Sequence, residues 1–141
     1  MALKDAAGNP GETAIFISQA PDDFEVYSGD DGMTLPLLAV GAVGVVGVAT
    51  HWTGQEHQEL FAAWHAGNVD EARRINASLL ESFAFETMDT APNPIPTKAM
   101  LRVLGLPGGH GRPPMDFTPP GLEDAARAVV SQTKVGTAAG I

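Results

Sequence analysis

The sequence predicts an α/β fold of parallel strand–helix units followed by a helical region. Three observations predict it. Short apolar stretches recur about every 20 residues, at 1–4, 24–27 and 44–50. Each is followed by a helix-like segment, as in right-handed parallel βα units. From residue 55 onward the apolar spacing is helical and no further strand pattern occurs.

Taken in order, residues 1–4 read as the last part of a strand that ends at Lys4. A loop with Gly8, Pro10 and Gly11 leads to a short helix around 14–17 that stops near Pro21. The second strand, 24–27, alternates apolar and polar residues. Ser28-Gly29-Asp30-Asp31 suits a loop and a helix N-cap. A helix over 34–40 carries Pro36 in its first turn, where a missing N–H does little harm. Residues 44–50, GVVGVAT, are uncharged and valine-rich, the pattern of a strand buried on both faces. Helix 55–65 carries Leu60, Phe61 and Trp64 and ends at Gly67. Asn68 with Glu71 resembles a capping box for one long helix over 69–85, with Ile75, Leu79 and Phe83 inward. Helices over 97–104 and 122–132 follow, separated by a Pro/Gly-rich loop at 108–120. Residues 133–141 are expected to be a flexible tail.

Composition narrows the function classes. At 141 residues the chain is of single-domain size, and 44% hydrophobic residues suffice for a core. A formal charge of −9 repels phosphate backbones and anionic membranes, so neither nucleic acid nor a membrane is an expected partner. The longest apolar run, 35–50, is broken by Gly41, Gly44 and Gly47 and is too short to span a bilayer. No secretory leader pattern opens the sequence, and a cytoplasmic protein is expected. Without cysteine there is no disulfide, thiolate metal site or cysteine nucleophile. His51 and His57 lie six apart, off a common helical face, and read as surface or capping residues. No metal or cofactor is expected. Gly108-Gly109-His110-Gly111 lacks the Lys-Ser/Thr pair of a phosphate loop.

Lys4 is the main candidate for chemistry. A lysine beside Asp5 is ordinarily solvated. At the C-terminal end of a barrel strand it would instead face the region where active sites collect. An amine kept out of water there becomes a nucleophile toward carbonyls, which is Schiff-base chemistry. Gly29 either serves the cap of the next helix or lets the backbone approach a ligand. The glycines within 44–48 weaken a strand, which hints at close packing or a nearby ligand.

LKDAAGNPGE, YSGDD, GAVGVVGVAT and APNPIPTKAMLRVLGL occur in this order, with SGDD starting 24 residues after Lys4. Together they resemble the second half of the dihydrodipicolinate synthase family, over about residues 3–130. The NPIPxK stretch, residues 93–98, favours that family over N-acetylneuraminate lyase. The resemblance implies the last three strands of a (β/α)8 TIM barrel and a C-terminal helical region, assembled as a homotetramer. The chain then divides into a partial barrel at 1–67, a helical region at 68–132 and the tail at 133–141. Lys4 falls on the lysine that condenses with pyruvate. The enamine so formed attacks L-aspartate 4-semialdehyde, in the diaminopimelate route to lysine. Val46 matches the aliphatic residue whose backbone lines the pyruvate site, and Gly29 the glycine at the same mouth. His51 stands where many members have Asn. The family's Thr-Thr pair, proton-relaying tyrosine and aldehyde-binding arginine have no counterpart here, and Tyr27 lies inside a strand. The chain alone is therefore expected to be inactive and poorly folded, with an upstream barrel half as its missing partner. Two other readings are a non-catalytic α/β interaction protein using helices 55–130 and a pyruvate aldolase with another aldehyde acceptor.

Overall fold

The structure, a computed structural model, describes residues 1–141. It contains two compact units, Met1–Val48 and Ala49–Ile141. The sequence reading had placed the division after residue 67.

The first unit is built on β1 (Ala2–Asp5), β2 (Glu25–Ser28) and β3 (Gly44–Val45), parallel and in that order. Helix α1 (Pro10–Gln19) joins β1 to β2, and a 3-10 turn (Asp31–Met33) with α2 (Thr34–Ala39) joins β2 to β3. Register pairs Leu3 with Val26, Lys4 with Tyr27, and Tyr27 with Gly44. Val26, Leu37 and Ala42 form the buried core, with Leu3, Ile17, Phe24, Met33 and Val40 packed around it. In a strand the residues next to Leu3 and Val26 point the other way. Lys4, Tyr27 and Gly44 therefore share the opposite face.

Two boundaries differ from the sequence reading. Helix α1 begins four residues before 14–17 because Asn9 caps it, its side chain accepting from the N–H of Gly11 and Glu12, with Pro10 in its first turn. The third strand is only two residues long rather than 44–50, and it is not buried on both faces. Val43 is 43% exposed and Val46 49% exposed. Pairing does reach one residue further, since Val46 N–H donates to Ser28 O at 2.8 Å. Beyond it the chain turns away and enters a helix at Thr50.

The second unit contains α3 (Thr50–His65), α4 (Val69–Ser78), α5 (Leu80–Glu86), α6 (Ile95–Val103), α7 (Leu122–Val130) and α8 (Lys134–Ala139), with no strand. Packing pairs α3 with α4 and α8, and α6 with α7. Leu60, Ile75, Leu79 and Phe83 are buried, as their spacing predicts. Trp52 packs edge-on against Phe85 at 6.2 Å and donates to Ser82 Oγ at 3.0 Å. The predicted helix 69–85 is two helices. Leu79 leaves helical geometry slightly (φ −93°, ψ −10°), and Ser78 Oγ donates back to Ile75 O at 2.7 Å. Such back-bonding competes with the helical ladder. Of the capping box only half forms: Asn68 Oδ1 accepts from Glu71 N–H, while the Glu71 carboxylate pairs with Arg74.

His57 corrects another expectation. It is 2% exposed, its Nδ1 lies 2.9 Å from Thr53 O, and its ring packs against Phe83. A carbonyl only accepts, so Nδ1 carries the proton. Residues 133–141 are not a tail but mostly α8. Thr133 Oγ1 accepts from Gly136 N–H, Lys134 N–H donates to Glu56 Oε1 at 2.7 Å, and the Lys134 ammonium pairs with Glu59. Lys98 Nζ donates to Gly108 O and Arg102 Nη1 to Gly109 O, so two α6 cations hold the Gly-rich loop. No helix is long and apolar enough to cross a membrane.

Candidate active site

Lys4 sits one residue before the C-terminal end of β1 and is exposed on the open sheet face. Asp5, beside it, points to the helical side. The Asp5 carboxylate accepts from Thr13 Oγ1 at 2.5 Å and from Ala7 N–H at 2.9 Å. The Thr13 hydroxyl and then the Ala7 amide hold that carboxyl below its ordinary range. The end of β1 is thus tied to the buried side of α1 through Thr13, which leaves Lys4 fixed at its base and free at its tip.

Gly29 extends the pairing of β1 with β2, its N–H donating to Asp5 O at 2.6 Å. A Cβ at Gly29 would lie 2.9 Å from Lys4 Cε and 3.0 Å from Lys4 Cγ. Real Cβ contacts are not that short, so the space a side chain would take is filled by the lysine stem. The glycine that the sequence suggests for backbone approach to a ligand is, in this structure, a seat for Lys4. A second seat lies beside it. A Cβ at Gly44 would meet the Tyr27 ring at 2.9 Å. The ring therefore lies over β3, and its hydroxyl donates to Glu25 Oε2 at 2.7 Å. That bond favours the protonated phenol and raises its pKa.

Val46 follows Gly44 by two residues with its N–H still in the ladder, so it stands on the same face as Lys4 and Tyr27. The three residues singled out in the sequence, Lys4, Gly29 and Val46, are thus brought together at one end of one small sheet. His51 is exposed at the start of α3. No three His, Asp or Glu side chains are grouped to hold a metal ion.

Sequence reasoning missed Asp31. It is 1% exposed, and its Oδ2 accepts from Val48 N–H at 2.6 Å. Its neighbour Asp30 is the N-cap the sequence predicts, accepting from Gly32 and Met33 N–H. Two adjacent aspartates after a strand look alike in sequence, and only the fold shows that the second reaches 17 residues along the chain.

The dihydrodipicolinate synthetase family profile matches residues 1–133. This chain belongs to that family. It is 44% identical over 115 residues to 4-hydroxy-tetrahydrodipicolinate synthase 1 of Halalkalibacterium halodurans, covering 82% of this chain and 38% of that protein. It is 39% identical over 130 residues to the 4-hydroxy-tetrahydrodipicolinate synthase of a Cyanothece strain, covering 92% of this chain and 44% of that one. Among solved structures, the dihydrodipicolinate synthase of Bacillus anthracis superposes with a TM-score of 0.85 at 39% identity, over 92% of this chain and 44% of the other. The Cyanidioschyzon merolae synthase, solved with lysine bound, gives 0.86 at 39% identity, over 93% and 44%. The chain therefore spans less than half the length of these members of the dihydrodipicolinate synthetase family.

Proposed function

We propose that the whole protein is a Schiff-base aldol-type lyase of the dihydrodipicolinate synthetase family. It condenses pyruvate with L-aspartate 4-semialdehyde, and this chain carries its nucleophile. The observation that carries the reading is Lys4 standing on the open face at the end of β1, stem seated on Gly29, with Val46 on the same face. In this reading the neutral Lys4 amine attacks C2 of pyruvate, water leaves, and an iminium forms. Loss of a C3 proton gives the enamine, whose C3 forms the new carbon–carbon bond with the aldehyde carbon. Backbone groups at Val46 line the pyruvate, and Gly29 keeps the lysine stem in place.

The three strands are, in this proposal, the closing strands of an eight-stranded barrel. From Ala49 to Ile141 there are six helices and no strand, so within these residues the strand–helix alternation stops at β3, which supports reading the three strands as the closing ones. The remaining strands supply the other substrate contacts and the proton relay, and cover the face on which Lys4 stands. Binding and proton transfer each contribute large rate factors, so the chain alone is inactive or nearly so. A cytoplasmic setting and assembly of the completed barrels into an oligomer belong to the same proposal.

The test is intact-mass measurement after pyruvate and borohydride, on the chain co-expressed with the N-terminal barrel half of a family member. A reduced pyruvate adduct mapped to Lys4, absent in Lys4→Ala, is the expected outcome. A folded complex with no adduct overturns the reading and favours a non-catalytic interaction protein.

A further inference from the structure

The lyase reading leaves one buried acid of the first unit without a role. Asp31 is 1% exposed and opens the 3-10 turn after β2. Its side chain crosses to the segment after β3, where Oδ2 accepts from Val48 N–H at 2.6 Å. Its other oxygen occupies the space beside Gly47, where a Cβ would lie 2.2 Å from Oδ1. No side chain is possible at 47 while Asp31 holds this position. Two residues earlier, Val46 N–H donates to Ser28 O at 2.8 Å. The backbone of 46–48 is thus pinned at both ends to the loop 28–31. That same loop carries Gly29, on which the Lys4 stem rests. The loop itself is stiff, because Ser28 Oγ donates to Asp30 O at 2.6 Å and Asp30 caps the turn.

We propose that Asp31 is a positioning residue for the 2-oxo acid substrate: it holds residues 46–48 in fixed register with the Lys4 seat, so that backbone groups beside Val46 meet a 2-oxo acid bound at Lys4. The inference rests on the lyase reading and adds to it a determinant of substrate affinity that never touches the substrate. A residue acting this way changes how much pyruvate is needed and leaves the bond-forming step at Lys4 largely alone.

The experiment is borohydride trapping at varied pyruvate, on the chain co-expressed with the N-terminal barrel half of a family member. In Asp31→Ala the half-saturating pyruvate concentration rises about tenfold while the trapping rate at saturation stays within about threefold of the unsubstituted protein. Asp31→Asn keeps an acceptor oxygen for Val48 N–H and recovers part of the loss. No adduct in the unsubstituted protein overturns the lyase reading and this inference together. An adduct there, with unchanged half-saturation in Asp31→Ala, overturns this inference alone. Should Asp31→Ala not fold, hydrogen exchange at the Val48 amide of the unsubstituted complex decides. Protection that pyruvate deepens about tenfold supports the inference, and an unprotected amide indifferent to pyruvate overturns it.

Discussion

On the sheet face that carries Lys4, two glycines act as seats for the large side chain of the preceding strand. Lys4 of β1 lies over Gly29, and Tyr27 of β2 lies over Gly44. Both side chains lean toward the next strand, and the missing Cβ atoms allow it. The two tips diverge along the strands: the lysine stem runs forward over Gly29, whereas the Tyr27 hydroxyl turns back to Glu25. Gly29→Ala is therefore expected to act first on Lys4, and it also brings a Cβ to 3.0 Å from Ala6 Cβ. The lysine stem is flexible and moves aside, while the Ala6 methyl moves only with its backbone, so the melting temperature falls slightly. If Lys4 is the nucleophile of the proposed lyase, displacing it by even a fraction of its reach lowers the trapping rate by about tenfold or more. A rate equal to that of the unsubstituted protein would show that Lys4 does not need this seat. The position of Lys4 at a strand end was legible in the sequence, because an apolar run stops there and a glycine–proline loop begins. Its neighbours were less so. Gly29 read more readily as part of a cap, and Asp31 as a second cap residue, since a bond spanning 17 residues leaves no local trace.

At the scale of elements, α8 shows how a terminal helix is held without a large apolar face. Its first amide donates to the buried Glu56 carboxylate, its first side chain pairs with Glu59, and Thr133 caps it. Gly136 lets it come close to α7: a Cβ there would lie 1.8 Å from Val130 O, which is backbone and cannot swing away. Gly136→Ala should therefore lift α8 and leave the 92%-buried Glu56 without its amide. Overpacking of this kind costs about 1–3 kcal/mol. Gly54, inside α3, is the control, because nothing lies within 4 Å of its would-be Cβ. Gly54 follows the kink at Thr53 and so opens the second half of α3, and Gly54→Ala is expected to change stability by no more than about 0.5 kcal/mol. Urea unfolding followed by circular dichroism measures both, and a neutral Gly136→Ala would contradict the close packing of α8. The sequence concealed α8 because small residues at a chain end carry no apolar period. It concealed the break between α4 and α5 because Ile75, Leu79 and Phe83 keep helical spacing across it. Strand β3 was overread for a related reason: valines fit a strand, yet an edge strand in this unit needs only two residues of ladder before the chain turns.

For the whole molecule, the distribution of buried apolar groups decides where it opens first. Val26, Leu37, Leu38 and Ala42 are the buried apolar residues of the first unit, against sixteen in the second. A unit of about 50 residues is marginal on surface-to-volume grounds even with a full core. Here one sheet face carries Lys4 and a half-exposed Val46, and Ile15 and Phe16 of α1 are 60% and 41% exposed. The second unit buries large residues along five of its helices, among them Trp52, Leu60, Leu79, Phe85 and Met100. Its opening free energy should accordingly lie well above that of the first. The amides of Val26 and Tyr27 are expected to exchange at least about a hundredfold faster than those of Leu60 and Ile75 in the isolated chain. The proposed barrel partner makes the comparison sharper. Strands that pair with β1 and cover the Lys4 face would raise protection in the first unit and leave the second unit nearly unchanged. Hydrogen exchange with and without the co-expressed half measures this. Equal protection of both units in the isolated chain would mean that the three strands are self-sufficient, and it would remove the energetic reason for seeking the rest of the barrel.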